Sequence, residues 1–262
     1  MTTPYFIQAV DAKLNRVPEK INAIKAHSDA YIAENPPQIV MDRDGKGTLD
    51  MSVPVPPDIS VLIGEILYQL RSTLDHLAFH LVELNPRGTI LPVNWEKDCQ
   101  FPLRLEREIG EIPPLPLGCF KNLPGISEKA HALIESVQPY YSTGKVNNCL
   151  RFLKELSNRD RHRYIVLTRS RSQVHKTTMF PSGIISTGVT SRDHGAEIDL
   201  FDRSFGGDSN VQMSYKLSGF ITFNEPVLGD ANMVQIEQLL QWLLESVQDV
   251  IVPEMKLLIE NP

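Results

Sequence analysis

The most regular pattern of apolar positions in the chain runs from Pro57 to Leu84. Its apolar residues recur at intervals of three and four: Ile59, Ile63, Ile66, Leu70, Leu74, Leu77 and Leu81. This spacing is typical of a helix that buries one face. Asp58 is the expected N-cap, and Asn85-Pro86 followed by Gly88 should end the helix. The sequence therefore predicts one long amphipathic helix over residues 57–84.

The opposite face of this helix has an unusual composition. It carries Tyr68, Arg71, Ser72, Asp75, His76, Phe79 and His80, and the whole predicted helix contains no lysine. A face turned entirely to solvent would typically be rich in Glu and Lys. We therefore expect this face to contact another part of the protein or a ligand.

Similar periodicity predicts helices over about 4–34, 127–163 and 231–260, with Pro18 and Pro253 as possible bends. Within 127–163 the pattern favours a short helix from Ser127 and a second one after residue 142. Residues 38–55 predict a β-hairpin that turns at Asp44-Gly45. Residues 164–226 hold short segments rich in β-branched and aromatic residues, separated by Gly, Asp, Ser and Asn, which predicts a small antiparallel sheet.

These elements indicate an α+β fold. Long amphipathic helices that are far apart in sequence bury their apolar stripes most economically in a common bundle. The sequence therefore predicts a single domain over residues 1–262, mainly an α-helical bundle of long helices with an inserted small antiparallel β-sheet. The proline-rich stretch from Asn85 to Gly125 has little periodicity, and we expect it to form extended surface coil and to cover a site.

Composition and charge restrict the functional classes. The chain has 262 residues and a formal net charge of −6, which argues against nucleic-acid binding over the whole surface but allows a local basic patch. Cys99, Cys119 and Cys149 lie far apart without a CxxC pair, which favours reduced thiols. No apolar run approaches the ~20 residues of a membrane span, and no secretory signal is recognisable. We expect a cytoplasmic protein that does not contact a membrane.

The strongest local reversal of charge begins on the predicted helix that ends near His162. Between Arg151 and Lys176 there are eight Lys and Arg residues against Glu155 and Asp160. The densest part, Arg159 to Arg163, could bind RNA or a phosphate-bearing ligand. The alternative is a solvated helix end, where cations also complement the helix dipole.

Two short motifs contain the most distinctive polar residues. The first is LxxLRSxLDHL around Arg71, and the second, about eighty residues later, is LxNxDxHR around Asp160. This pair resembles a group of uncharacterised bacterial and phage-borne proteins. The intervening FPL (101–103) and QPY (138–140) segments extend the similarity. The resemblance identifies a group of proteins and implies no particular activity.

The first motif also resembles the HEPN domains, in which an Arg followed after four to six residues by His lies on a helix of a small bundle. Many HEPN domains are metal-independent ribonucleases that form their site between two copies. The resemblance implies that His76 moves protons while Arg71 stabilises charge on the phosphate, and it implies a homodimer. The chain departs from the usual pattern at Ser72, where HEPN motifs place Asn, Asp or His.

The candidate catalytic residues are Arg71 and His76, together with Asp75, Asp160 and His162. A metal site is a further alternative, because His76 and His80 are one helical turn apart. No HExxH motif accompanies them, so no cofactor is expected. His131 should be a surface residue.

The remaining hypothesis is structural. Arg71 and Asp75 are one turn apart and could pair with each other, or Asp75 could pair with an Arg or His from 159 to 163. A polar network joining the two motifs would fix the helices without any chemistry. The sequence therefore favours a central polar network that is structural or ligand-binding, with a HEPN-like ribonuclease as the alternative.

Overall fold

A computed structural model of the chain describes residues 5–41, 47–107, 115–116, 118–141, 144–179, 185–193, 195–198 and 212–262. In this part of the chain the helices are α1 (Tyr5–Glu34), α2 (Pro57–Leu84), α3 (Trp95–Asp98), α4 (Glu128–Ser136), α5 (Lys145–His162), α6 (Ile236–Glu245) and α7 (Val252–Glu260). The strands are β1 (Gln38–Met41), β2 (Gly47–Asp50), β3 (Leu167–Met179), β4 (Ile185–Asp193), β5 (Glu197–Ile198) and β6 (Gln212–Phe223). The α+β fold class is thereby confirmed.

The chain divides into two compact units. Unit 1 comprises Met1–Ala23, Val61–Ile165 and Glu237–Pro262, and unit 2 comprises Ile24–Ser60 and Val166–Ile236. Unit 1 is helical, whereas unit 2 contains all the strands of the described residues. The organisation as one domain stays a prediction.

The core of unit 1 is built on the apolar stripe of α2. All seven residues predicted to form that stripe are buried, at 4% exposure or less, and six of them, Ile63 to Leu81, belong to unit 1. Apolar residues of α1, α5 and α6 are buried as well: Val10, Leu14, Val17, Leu150, Leu153, Leu156, Leu239, Leu240 and Leu243. Asp58 lies in the first turn of α2 and not at its N-cap, because the helix begins at Pro57, whose fixed φ suits a first helical position.

The two helices predicted within 127–163 are confirmed as α4 and α5, with a 3₁₀ turn over Pro139–Tyr141 before α5 begins. Ser127 caps α4, since its side chain accepts a hydrogen bond from the backbone N–H of Ala130. The C-terminal segment is also interrupted. A π-helical turn over Ser246–Ile251 precedes Pro253, and its wider spacing accommodates a residue that has no N–H and crowds the preceding turn.

Unit 2 contains two three-stranded antiparallel sheets, with strand orders β1-β2-β5 and β4-β3-β6. The first confirms the predicted hairpin, although Asp44-Gly45 lies outside the described residues. In the second, the register of β3 against β6 shifts between Thr168 and Arg171. Within the described part of 164–223 there is no helix after the start of β3.

Candidate functional site

The polar face of α2 divides into two sides, each with a different neighbour in unit 1. On one side, Ser72, His76 and His80 contact α1. On the other side, Arg71 and Asp75 contact the segment that follows α3, and Phe79 stacks on Trp95 with ring centroids 5.0 Å apart. The expectation that this face meets another part of the protein is confirmed for these six side chains. Tyr68 is the exception, since 71% of it is exposed.

The α1 side contains both histidines of the first motif. The Lys13 ammonium donates a hydrogen bond to Ser72 Oγ at 2.6 Å and lies 3.4 Å from both ring nitrogens of His76. Burial, and then the charge of Lys13, lowers the pKa of His76, so the ring is neutral at neutral pH.

His80 has partners of its own. Its Nδ1 lies 2.8 Å from Glu83 Oε2, and its ring packs on Phe6. Among the described residues no group of three or more His, Cys, Asp or Glu side chains could hold a metal ion, and the ammonium of Lys13 occupies the position beside His76. These contacts do not fit the metal hypothesis.

The other side of the face holds the backbone of residues 100–104, which we call the clamped segment. Arg71 Nη2 donates to the carbonyl oxygen of Phe101 at 2.6 Å and to Gln100 Oε1 at 3.3 Å. Asp75 Oδ1 accepts from the N–H of Phe101 at 2.8 Å and lies 3.3 Å from Arg71 Nη2. The pair of side chains thus satisfies both polar groups of a fully buried residue, as a loop inside a core requires.

A second buried side chain, from the turn that follows α4, holds the clamped segment. Gln138 is completely buried, and its Nε2 donates to the carbonyl oxygens of Pro102 and Ile134 at 3.0 and 2.8 Å. Its Oε1 accepts from the N–H of Arg104 at 3.0 Å. Phe101, Pro102 and Leu103 are all buried. The prediction of surface coil is therefore wrong for this part of 85–125, because three polar side chains take the place of water.

The position of His131 also contradicts an expectation from the sequence. His131 was expected at the surface but is buried at 6% exposure, 3.4 Å from Cys119 Sγ, with burial lowering its pKa. Next to it, Glu135 Oε1 accepts from the N–H of Leu115 and from the Tyr141 hydroxyl at 3.2 and 2.5 Å. These contacts fix the chain that leads to Cys119.

A cavity of about 360 Å³ opens beside the clamped segment. Its walls come from four separated parts of unit 1: Arg71 of α2, residues 100–104, residues 119–122, and Lys154 of α5. Four of the lining residues are cationic, namely Arg71, Arg104, Lys121 and Lys154, and none is acidic. In the part of the chain that the structure describes, neither Lys121 nor Lys154 forms an ion pair.

The charge at this cavity is only partly balanced. Arg71 is buried at 7% exposure, and its Nε and Nη1 have no hydrogen-bond partner among the described residues. Burial lowers the pKa of Arg71, but a guanidinium remains charged in proteins. Burial also lowers the pKa of Lys154, and the charges of Arg71 and Arg161 lower it further, whereas those of Asp75 and Glu155 oppose the shift. Asp75 pairs with Arg71, and burial raises the pKa of Asp75 despite the opposing effect of Arg71.

The second motif, on α5, contacts α2 at Gly64, which lies nearer the start of α2 than Arg71 does. A Cβ atom at Gly64 would lie 2.7 Å from both carboxylate oxygens of Asp160, so α5 approaches α2 closely at this glycine. Burial raises the pKa of Asp160. The charge of Arg161 lowers the pKa of both Arg71 and Asp75, so the second motif lies within electrostatic reach of the first.

The five candidate catalytic residues thus fall into separate groups. Arg71 and Asp75 form an ion pair within α2, which is one of the two pairings expected for Asp75. His76 contacts Lys13, Asp160 lies against Gly64, and His162 is exposed in the last turn of α5. Within the described residues only Arg71 of this set lines the cavity.

The sequence did not identify the other residues of the site. Lys154 was noted only as part of a basic run, whereas Arg104, Lys121 and Gln138 carried no functional expectation. The only signal was the FPL and QPY similarity, which coincides with the clamped segment and the side chain that holds it. Comparison with protein-family models, curated proteins and solved structures finds no match to this chain. The resemblance to the bacterial and phage group, and that to HEPN domains, therefore stay hypotheses.

Proposed function

We propose that unit 1 is a binding module for a small phosphate-bearing ligand, which occupies the cavity beside Arg71. The observation that supports this most is the concentration of four cationic side chains around about 360 Å³ in a chain of net charge −6. Clefts lined by one sign of charge concentrate ligands of the opposite sign. Asp75 alone does not balance the positive charge of the cavity wall, and an anion bound in the cavity would balance it further.

The structural and ligand-binding hypotheses are combined in this proposal. Arg71 and Asp75 hold the clamped segment, and that segment in turn provides Gln100 and Arg104 as cavity wall. The polar network therefore shapes the site, and the lysines contribute free charge to it. RNA at Arg159–Arg163 and a homodimer stay predictions that this proposal does not require.

Isothermal titration with inorganic phosphate tests the proposal. Lys154→Gln and Lys121→Gln should each weaken binding at least about tenfold, because a hydrogen bond to a charged group contributes ~1.5–3 kcal/mol. Lys145→Gln is the matched control, since Lys145 lies on α5 too but pairs with Glu245 at 2.9 Å. Absence of phosphate binding by the wild-type chain, or equal loss in the control, would contradict the proposal.

A further inference from the structure

Lys154 has the surroundings of a nucleophilic lysine as well as those of a binding residue. Its side chain is half-buried in the wall of the cavity, and no described carboxylate pairs with it. It shares that wall with Arg71, and the charges of Arg71 and Arg161 lower its pKa, whereas those of Asp75 and Glu155 act in the opposite direction. An ammonium among other cations loses its proton more readily than one in water, which is a recognised way to activate lysine.

We propose that Lys154 forms a reversible Schiff base with a small aldehyde or ketone that also carries a phosphate group. This inference rests on the proposed function, because the cationic wall must first hold the phosphate. The neutral amine of Lys154 adds to the carbonyl carbon to give a carbinolamine. Loss of one water molecule then gives the imine, without any change in oxidation state. Hydrolysis reverses both steps.

The cavity wall offers two kinds of group, and these suit a ligand that has a phosphate at one end and a carbonyl group at the other. Arg71, Arg104 and Lys121 are suited to the phosphate, since guanidinium and ammonium groups both bind it well. Lys154 is the half-buried amine of the set, whereas Lys121 is exposed. The lowered pKa of Lys154 supports the assignment, because each unit by which a lysine pKa falls increases the neutral fraction about tenfold at neutral pH.

A contrast within α5 provides the control. Lys145 is exposed and hydrogen-bonded to Glu245, and this contact raises its pKa. It should therefore remain an ammonium ion under conditions in which Lys154 reacts. Cys119 also lines the cavity, but a thiol adds to a carbonyl to give a hemithioacetal, which borohydride does not convert into a stable adduct. Reductive trapping is thus specific for amines.

The experiment uses the full chain with pyridoxal 5′-phosphate as the probe, borohydride reduction and peptide mapping by mass spectrometry. We expect Lys154 to be the main site of the adduct and Lys145 to carry little of it, because the cationic wall holds the phosphate of the probe beside Lys154. Excess inorganic phosphate and replacement of the probe by pyridoxal should each remove this preference. Lys154→Arg should remove most of the incorporated label, because a guanidinium stays charged and forms no Schiff base with the probe.

The outcomes separate this inference from the function on which it rests. Phosphate binding without a preferred adduct at Lys154 would overturn the Schiff-base inference alone. Equal labelling by pyridoxal and by its phosphate would overturn it too, because the cationic wall would then have no part in the reaction. Absence of phosphate binding by titration would overturn both proposals.

Discussion

Arg71 holds the backbone of the clamped segment and also contributes positive charge to the cavity. Its replacement should therefore lower the stability of the protein as well as change ligand binding. Arg71→Ala leaves the Asp75 carboxylate and the Phe101 carbonyl without their partner. Loss of one member of a buried charged pair costs about 3–5 kcal/mol, which corresponds to roughly 6–20 °C in Tm for a chain of this length. His76→Ala removes an exposed side chain and should cost under ~0.5 kcal/mol. Thermal unfolding of both variants measures this difference.

The same two variants test the HEPN hypothesis. If Arg71 and His76 formed a metal-independent ribonuclease site, the wild-type chain would cleave RNA in the presence of a chelator, and each substitution would abolish the activity. We expect no cleavage, because Arg71 is engaged with Phe101 and His76 lies beside Lys13. Chelator-resistant cleavage that both substitutions remove would favour the nuclease.

Asp75 provides a pH-dependent test of the cavity. Burial raises its pKa above the ordinary 3.8, so the carboxylate takes up a proton earlier as the pH falls. The negative charge beside the cavity then disappears, and affinity for anions should rise. Sulfate is the suitable probe because its charge is constant in this range.

Asp75→Asn should bind sulfate more tightly at neutral pH, by roughly fivefold if removal of the carboxylate contributes ~1 kcal/mol. As the pH falls towards the pKa of Asp75, the wild-type affinity should approach that of the variant. Calorimetric titrations of both chains at two pH values measure this convergence. Weaker binding by Asp75→Asn would show that the carboxylate helps to hold the ligand.

At the scale of elements, the clamped segment depends on side chains from α2 and from the turn that follows α4. Gln138→Ala leaves the N–H of Arg104 and the carbonyl of Pro102 without partners inside the core. The expected loss is about 2–3 kcal/mol, or roughly 4–12 °C in Tm. Gln241→Ala is the control, since Gln241 makes only an i,i+4 contact with Glu245, a type of pair that contributes ~0.2–0.5 kcal/mol.

Hydrogen exchange locates the effect of Gln138→Ala. The amide of Arg104 should exchange faster in this variant, because its acceptor has been removed, while amides in the middle of α2 should change much less. Unchanged protection at Arg104 would mean that Gln138 does not hold the segment. If exchange became faster by the same factor at all amides, the substitution would have lowered the stability of the whole protein and not that of the clamped segment in particular.

Much of the architecture could be predicted from local patterns, because periodicity records which face of an element is buried. The stripe of α2, the cap at Ser127 and the hairpin of β1 and β2 are examples. The clamp could not be predicted, because Arg71, Asp75 and Gln138 bind backbone groups, which are the same at every residue. The cavity was missed because its wall joins positions 71, 100–104, 119–122 and 154, whose proximity depends on packing.

At the scale of the whole molecule, the described residues contain no helix with the length and apolarity needed to cross a bilayer. The net charge of −6 repels anions at long range, and salt screens this repulsion within about 10 Å at 0.1 M. Anion binding should therefore depend on the local wall of unit 1 more than on total charge. Two places compete for this role, namely the cavity and the exposed Arg159–Arg163 patch.

Anomalous diffraction from crystals of the full chain soaked in selenate distinguishes these two places most directly. Selenate has the shape and charge of sulfate, and its selenium atom marks each bound anion by its anomalous scattering. We predict an anomalous peak inside the cavity, within contact of Lys154 and Arg104. An empty cavity with selenate bound only at Arg159–Arg163 would contradict the claim that the Arg71 cavity is the anion site.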